Sequence, residues 1–314
     1  MSLLDKVFVV AENASVIDEV CAAGRTCGQK VEMVLIGSQE DAKRAISVGA
    51  DKVYYLGEAT VEKRVEDFLP TIAALIDQEK PAAIIFRTTV RGRLMAARLA
   101  AVLGTSVLTD ASSLQVDGTA LISKKRVYGG AALREEKAVG PVSVVCISPG
   151  IAAPLEADSS REGEIIEVAF IEPTRKVKCI ETKAKVGEQV NLPAAKRVIC
   201  VGRGMEAQDD LNMIYELASL LGAEVGCTRP IAEGEHWMSK ERYVGVSGVM
   251  LKPELYIGVG ISGQIQHMVG TDQAGTIVAI NNDKKAPIFQ YADYGIVDDL
   301  YTAVPALMQK FKDQ

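Results

Sequence analysis

The stretch from Leu255 to Asn281, LYIGVGISGQIQHMVGTDQAGTIVAIN, constrains the fold of this chain more than any other. LYIGVG is a continuous apolar run of strand length and TIVAI is a second. Both read as strands buried on two faces, the pattern of a parallel sheet. Between them the spacing predicts a tight glycine turn and a short helix. Gly260 and Gly263 let the backbone turn sharply, and Ser262 stands where a helix N-cap belongs. A helix N-terminus at the carboxyl end of a parallel strand presents unpaired amides and the positive end of a dipole, which favours a phosphate. These residues predict a nucleotide-type cofactor, although glycine-rich turns also occur for packing alone.

With 314 residues the chain is long enough for two domains. A net charge of −6 argues against a nucleic-acid-binding surface. No apolar run approaches the roughly 18 residues that a membrane-spanning helix needs, so no membrane insertion is expected. The chain enters a strand almost at once (KVFVVAE), which predicts no signal peptide and a cytoplasmic protein or, in a eukaryote, a processed organelle protein. Cys21, Cys27, Cys146, Cys179, Cys200 and Cys227 form no CxxC pair and read as small buried hydrophobes. With only His236 and His267 available, no metal site is expected.

The fold class is α/β, as two domains that are each a mainly parallel sheet flanked by helices. In the first half KVFVVAE, KVEMVLIG, KVYYLG, PAAIIFRTT and TSVLTD alternate with helical stretches, and four βα repeats in a row imply a parallel sheet. In one of those helices Val65, Phe68, Leu69, Ile72, Leu75 and Ile76 recur at helical spacing. From about Ser112 the rhythm turns to β-type segments (SSLQVDG, ALISKKRVYGG, PVSVVCISPG, GEIIEVAFIE), expected to be added strands, some antiparallel. A polar, lysine-rich connection around Lys183–Lys185 then separates residues 1–188 from residues 189–314, and is polar enough to act as a hinge. The second series ends in a helix with Leu300, Val304, Leu307, Met308 and Phe311 on one face.

No Walker lysine and no nucleophile elbow occur, and Gly202-Arg203-Gly204 lacks the third glycine of GxGxxG. The acidic pairs Asp209/Asp210, Glu135/Glu136 and Asp298/Asp299 read as helix starts or solvated faces. No catalytic residue is therefore expected. The pattern is that of a protein that cradles a cofactor and tunes chemistry the cofactor supplies.

LYIGVGISGQIQHMVG, followed by six residues and IVAIN, closely resembles the signature of electron transfer flavoprotein alpha subunits. The match extends through APIFQYADYGIVDDL at Ala286–Leu300 and back through Val201–Gly204 and GCTRP at Gly226–Pro230. It is strong over about the last third of the chain, and general in pattern before that. The resemblance implies an adenine-nucleotide-hydrolase-like N-terminal scaffold that carries the subunit interface, and a Rossmann-like C-terminal domain that binds FAD.

It also implies site residues. Arg229 matches an arginine that packs on the isoalloxazine ring, where a fixed cation favours reduced, anionic flavin. By position alone it is equally a surface arginine at a strand end. Thr228 stands in place of the usual serine and keeps its hydroxyl. Ser247 replaces a threonine near flavin N5, and Val246 replaces a glutamine, so the hydrogen bonding on that side departs from the family pattern. His267 and Gln266 match a pair at the pyrimidine end of the ring, where a donor or an imidazolium would stabilise negative charge. A lone histidine on such a helix is otherwise a satisfied structural residue. Arg203, Ser262 and its neighbours Gly263, Gln264 and Ile265, together with Asn281, Asp299 and Leu300, match the diphosphate and adenosine side. Asp299 could equally begin the last helix. His236 and Trp237 lie in EGEHWMSKERY, which departs from the common pattern and resembles a bacterial subgroup tied to acyl-CoA metabolism.

The function implied is electron carriage without substrate turnover of its own. FAD would be held noncovalently in a heterodimer with an electron transfer flavoprotein beta subunit. Acyl-CoA dehydrogenase-type flavoproteins are the expected partners, with a quinone oxidoreductase or a ferredoxin as further candidates. The alternative reading is an NAD- or adenylate-binding α/β enzyme or regulatory domain. VSVVCIS and LISKKRVYGG are candidates for a subunit surface, internal core being the other assignment for each.

Overall fold

The computed structural model describes residues 3–176, 178–183 and 190–313. The chain forms two compact units. One comprises Met1–Val127 and Leu133–Lys183, the other Tyr128–Ala132 and Ala184–Gln314. The expected boundary at 188/189 lies outside the described residues, as does Lys185 of the expected hinge.

The first unit holds strands β1 (Leu4–Ala11), β2 (Gly28–Leu35), β3 (Lys52–Tyr55), β4 (Ala83–Arg87), β5 (Val107–Ala111), β6 (Ser113–Asp117), β7 (Ala120–Val127), β8 (Ala132–Lys137), β9 (Ser143–Ile147) and β10 (Glu164–Glu167). Seven of them form one sheet in the order β10-β3-β2-β1-β4-β9-β5, and every pairing in it is parallel. Val7, Val9 and Ala11 face one hydrophobic layer and Phe8 and Val10 the other, so β1 is buried on both sides. Helices α1 (Ile17–Cys27) and α2 (Gln39–Ser47) cover the first face through Ile17, Val20 and Ala42. Helices α3 (Leu69–Glu79) and α4 (Val90–Leu103) cover the second through Ile72, Leu75, Met95 and Leu99. Val65 and Phe68 of the predicted stripe are buried on a 3₁₀ turn that leads into α3. Ser38 starts α2 with a reciprocal capping box: its Oγ accepts from Asp41 N at 3.1 Å, and Asp41 Oδ2 accepts from Ser38 N at 2.9 Å.

The late β segments divide. PVSVVCIS becomes β9, fully buried between β4 and β5, which assigns it to core and removes it as a subunit surface. GEIIE becomes the edge strand β10. The remaining three, β6, β7 and β8, form a separate three-stranded sheet with an antiparallel β6–β7 pair, and Glu135 and Glu136 lie on β8 rather than at a helix start.

The second unit contains β11 (Arg197–Val201), β12 (Glu224–Cys227), β13 (Leu255–Val259), β14 (Thr276–Ile280) and β15 (Tyr294–Ile296), all parallel in the order β12-β11-β13-β14-β15. Helices α5 (Leu211–Leu221) and α7 (Leu300–Lys312) cover one face, where Ile214 and Leu217 meet Val304 and Met308. Leu307 packs partly buried against this layer, while Phe311 is exposed. The opposite face is closed by irregular chain and by the single turn α6 (Ile265–Met268), over a core of Cys200, Tyr256, Met268 and Ile288. Among the described residues no helix is long and apolar enough to cross a membrane. Five cysteines are buried and Cys179 is partly exposed.

Candidate functional site

From β11 the chain steps to one side for β12 and returns across β11 to build β13, so the loops that follow β11 and β13 part from each other. An open parallel sheet has its crevice at such a point, outside the carboxyl ends of the strands. A cleft of about 870 Å³ opens there. Two loops of its lining are tied together by backbone: Gly202 N donates to Val259 O and Gly204 N to Gly260 O, each at 3.0 Å.

Of the thirteen residues singled out in the sequence, all but Gly263 and Ile265 line this cleft. Gly263 instead turns the chain at φ +86°, pressed against Ile288, where a Cβ would fall 2.2 Å from the amide nitrogen. Ile265 is half exposed. Ser262 does not cap α6. The turn at Gly263 delays the helix until Gln264, which occupies the N-cap position without a side-chain hydrogen bond, and Ser262 uses its carbonyl to accept from Ile288 N at 3.0 Å. With four residues, α6 is too short for a macrodipole of consequence.

Thr228 sits just past β12. Its hydroxyl is buried and has no hydrogen-bond partner among the described residues. Arg229 follows, exposed at the cleft, with Nε donating to Glu233 Oε2 at 2.6 Å. Pro230–Gly234 forms one π-helical turn, which brings Glu233 back toward Arg229, and Lys240 Nζ lies 3.7 Å from Glu233 Oε1. The Arg229 hydrogen bond holds the Glu233 carboxyl below its usual range. Ser247 Oγ is 3.1 Å from the Tyr243 hydroxyl, and both line the cleft beside Val246.

His267 is buried, and both ring nitrogens are engaged within the protein. Nε2 is 2.7 Å from the Tyr256 hydroxyl and Nδ1 is 3.0 Å from Val244 O. Burial lowers its pKa to about 4, so of the two forms that the resemblance implied, a donor or an imidazolium, the flavin-free protein favours the uncharged ring. Gln266 lines the cleft and its carbonyl accepts from Val246 N at 2.8 Å. Asn281 ties two loops together, its Nδ2 donating to Ile261 O at 2.9 Å and its Oδ1 accepting from Asp283 N at 2.8 Å. Asp299 is the N-cap of α7, accepting from Tyr301 N at 2.8 Å, and it also lines the cleft with Leu300.

Sequence reasoning missed Glu233, Tyr243 and Tyr301. Glu233 stands four residues after Arg229, the spacing of a helical ion pair, and that was its only signal. The Tyr301 hydroxyl donates to Asp210 Oδ2 at 2.5 Å and accepts from Glu206 N at 2.8 Å, which no local pattern reveals. His236, at φ +58°, and Trp237, packed on the α5–α7 core, lie outside the cleft lining.

The electron transfer flavoprotein domain matches residues 7–173, and the electron transfer flavoprotein FAD-binding domain matches residues 191–272. The chain belongs to the electron transfer flavoprotein family. Its relatives include YdiR of Escherichia coli K12, named as an electron transfer flavoprotein subunit. That protein is 43% identical over 310 residues, 99% of each chain. FixB proteins of Salmonella typhimurium and Escherichia coli O7:K1 are 40% identical over 309 residues, 98% of each chain. As an electron transfer flavoprotein of the alpha type, this chain carries electrons and its cofactor is FAD, which sets aside the NAD- or adenylate-binding alternative. The cleft suits that cofactor: Arg203 lines it as a cation for a pyrophosphate, and the Thr228 hydroxyl, without a partner among the described residues, offers a donor at a buried point.

Proposed function

We propose that this chain is the FAD-holding subunit of a heterodimer with an electron transfer flavoprotein beta subunit, and that it turns over no substrate of its own. The observation that carries this reading is the cleft at the divergence of β11 and β13, with a cation at its mouth and an unsatisfied hydroxyl inside. No nucleophile–base pair accompanies them among the residues named at the cleft, and the redox chemistry would be the flavin's.

In this reading Arg229, Thr228 and Ser247 face the isoalloxazine ring. Arg203 and the 260–264 loop hold the diphosphate, while Asn281, Asp299 and Leu300 border the adenosine. Gln266 and His267 support the ring from the α6 side. A guanidinium beside the ring stabilises added negative charge and so favours reduction, and Glu233 offsets part of that field. Acyl-CoA dehydrogenase-type flavoproteins are the proposed electron partners, with a quinone oxidoreductase or a ferredoxin on the other side of the exchange, in the cytoplasm. Residues 189–314 would move as a body relative to residues 1–188, so that the flavin meets its partners in turn.

Expression of the chain with and without an electron transfer flavoprotein beta subunit tests this. Co-expression is expected to give a yellow one-to-one complex with one FAD, and the chain alone is expected to be deficient in folding or in flavin. A well-behaved monomer with a full complement of FAD would sink the obligate partnership, and a colourless complex would sink the flavin reading itself.

A further inference from the structure

The Val244 carbonyl can only accept a hydrogen bond, so the 3.0 Å contact requires a proton on Nδ1 of His267. In the neutral ring Nε2 then carries a lone pair, and the Tyr256 hydroxyl 2.7 Å away must donate to it. Tyr256 is fully buried on β13, in the same core layer as Cys200 of β11. The Tyr256 hydroxyl proton is therefore committed to His267, and the donors run in one direction, from Tyr256 through His267 to Val244. Val244 opens the turn that carries Ser247. Gln266 O accepts from Val246 N in the same turn, and Gly270 packs so closely on Gly245 that a Cβ would fall 2.7 Å from its nitrogen.

We infer that Tyr256 is a positioning residue for the cofactor cleft: its hydroxyl fixes His267 as the neutral Nδ1–H tautomer, and His267 in turn fastens the Val244–Ser247 turn. The inference rests on the cleft's being the flavin site. A charged His267 would point an N–H at Tyr256 and leave an unpaired cation in a buried place. The titratable groups around it are Tyr256 of β13, Cys200 of β11 and Tyr243 of the turn, with the Arg229–Glu233 pair at the cleft. None supplies a net negative charge. Cys200 and Tyr256 are both pushed up, well away from ionisation, by burial. With both ring nitrogens held in this way, His267 is the neutral ring in the flavin-free protein.

The chain has only two histidines, so imidazole nitrogen NMR on the FAD-loaded complex reads this directly, with His236→Gln to assign the signals. Wild-type His267 is expected to show the Nδ1–H tautomer and no titration from pH 8 to 5.5. Tyr256→Phe removes the donor to Nε2, and the His267 protonation constant is expected to rise tenfold or more. The flavin midpoint potential, which a merely structural role would leave parallel to wild type in pH, is expected to gain an inflection at the new pKa. An Nε2–H tautomer, or a wild-type titration between pH 6 and 8, would overturn the inference even if the variant failed to fold. Flavin content, read by absorbance on the same sample, reports separately on the flavin reading: loss of colour with the tautomer intact would reject that reading and leave the His267–Tyr256 arrangement standing.

Discussion

Gly202 and Gly260 meet backbone to backbone where β11 and β13 end: a Cβ on Gly202 would stand 2.4 Å from the Gly260 carbonyl oxygen. Gly202→Ala must therefore push the two loops apart at the wall of the cleft. The expected result is a stability loss of about 1–3 kcal/mol, the range for overpacked sites, and a larger relative loss of FAD affinity. Thermal unfolding and flavin titration of the same preparation check it. Wild-type values for both would mean the wall is softer than its contacts require.

The lone hydroxyl of Thr228 predicts an opposite split. Thr228→Val keeps the shape and removes a buried polar atom that has no partner among the described residues of the flavin-free protein. The flavin-free chain should be as stable as wild type or more so, while FAD binds about threefold to tenfold more weakly, the scale of one hydrogen bond. Equal flavin affinity would exclude Thr228 as a ligand.

Charge at Arg229 and Glu233 should act on the flavin potential with opposite signs. Arg229→Ala removes a cation and lowers the midpoint, whereas Glu233→Gln removes the offsetting anion and raises it. Each change is expected to be no more than about tenfold in the reduced-to-oxidised ratio, or about 30 mV for two electrons. Both groups are solvated in the flavin-free chain, so their pair contributes little to folding, and melting temperatures should scarcely move. A redox titration in which both variants shift the same way would exclude this electrostatic account.

Stability should also depend on acid through His267. Its pKa falls from 6.5 in an unconstrained chain to about 4 in the folded protein. Below pH 6.5 the unfolded chain takes up a proton that the native protein refuses, so the contribution present at neutral pH is lost as pH falls from 6.5 toward 4. That loss amounts to about 3–4 kcal/mol, at about 1.4 kcal/mol per pKa unit. Carboxylates add their own acid loss, so the measurement is the difference between wild type and His267→Gln in denaturant unfolding at pH 7, 6 and 5. The variant is expected to be less stable at pH 7 and to show a flatter decline. A difference that stays constant with pH would show that His267 is not held neutral.

The parallel strands were legible because strands such as β1 and β13 are buried on both faces and read as unbroken apolar runs. The convergence of Arg203, Thr228, Arg229, Asn281 and Asp299 was legible only through a long residue-specific resemblance, since each by itself is an ordinary strand-end residue. Ser262 was misread because a local rule, serine before a helix, cannot see that the positive φ of Gly263 moves the helix start two residues on. The state of His267 depends on Tyr256, eleven residues earlier and on another element, which periodicity does not report. The antiparallel segment was recognised as β structure, but whether a strand joins the large sheet depends on which neighbour has an unpaired edge. β9 found two such neighbours, and β6–β8 paired among themselves.

The place of β9 carries a consequence for how the protein is made. β5 has no partner in the large sheet except β9, and β9 follows it in the sequence by way of the whole β6–β8 excursion. A ribosome that has released residues through Val127 has produced β4 and β5 but nothing to join them, and both present bare edges of the kind that recruit other chains. Synthesis proceeds at about 5–20 residues per second, so that interval lasts on the order of seconds before Ile147 emerges. The first unit can thus close only after its last central strand arrives, which makes the nascent chain, rather than the finished one, the form most exposed to aggregation.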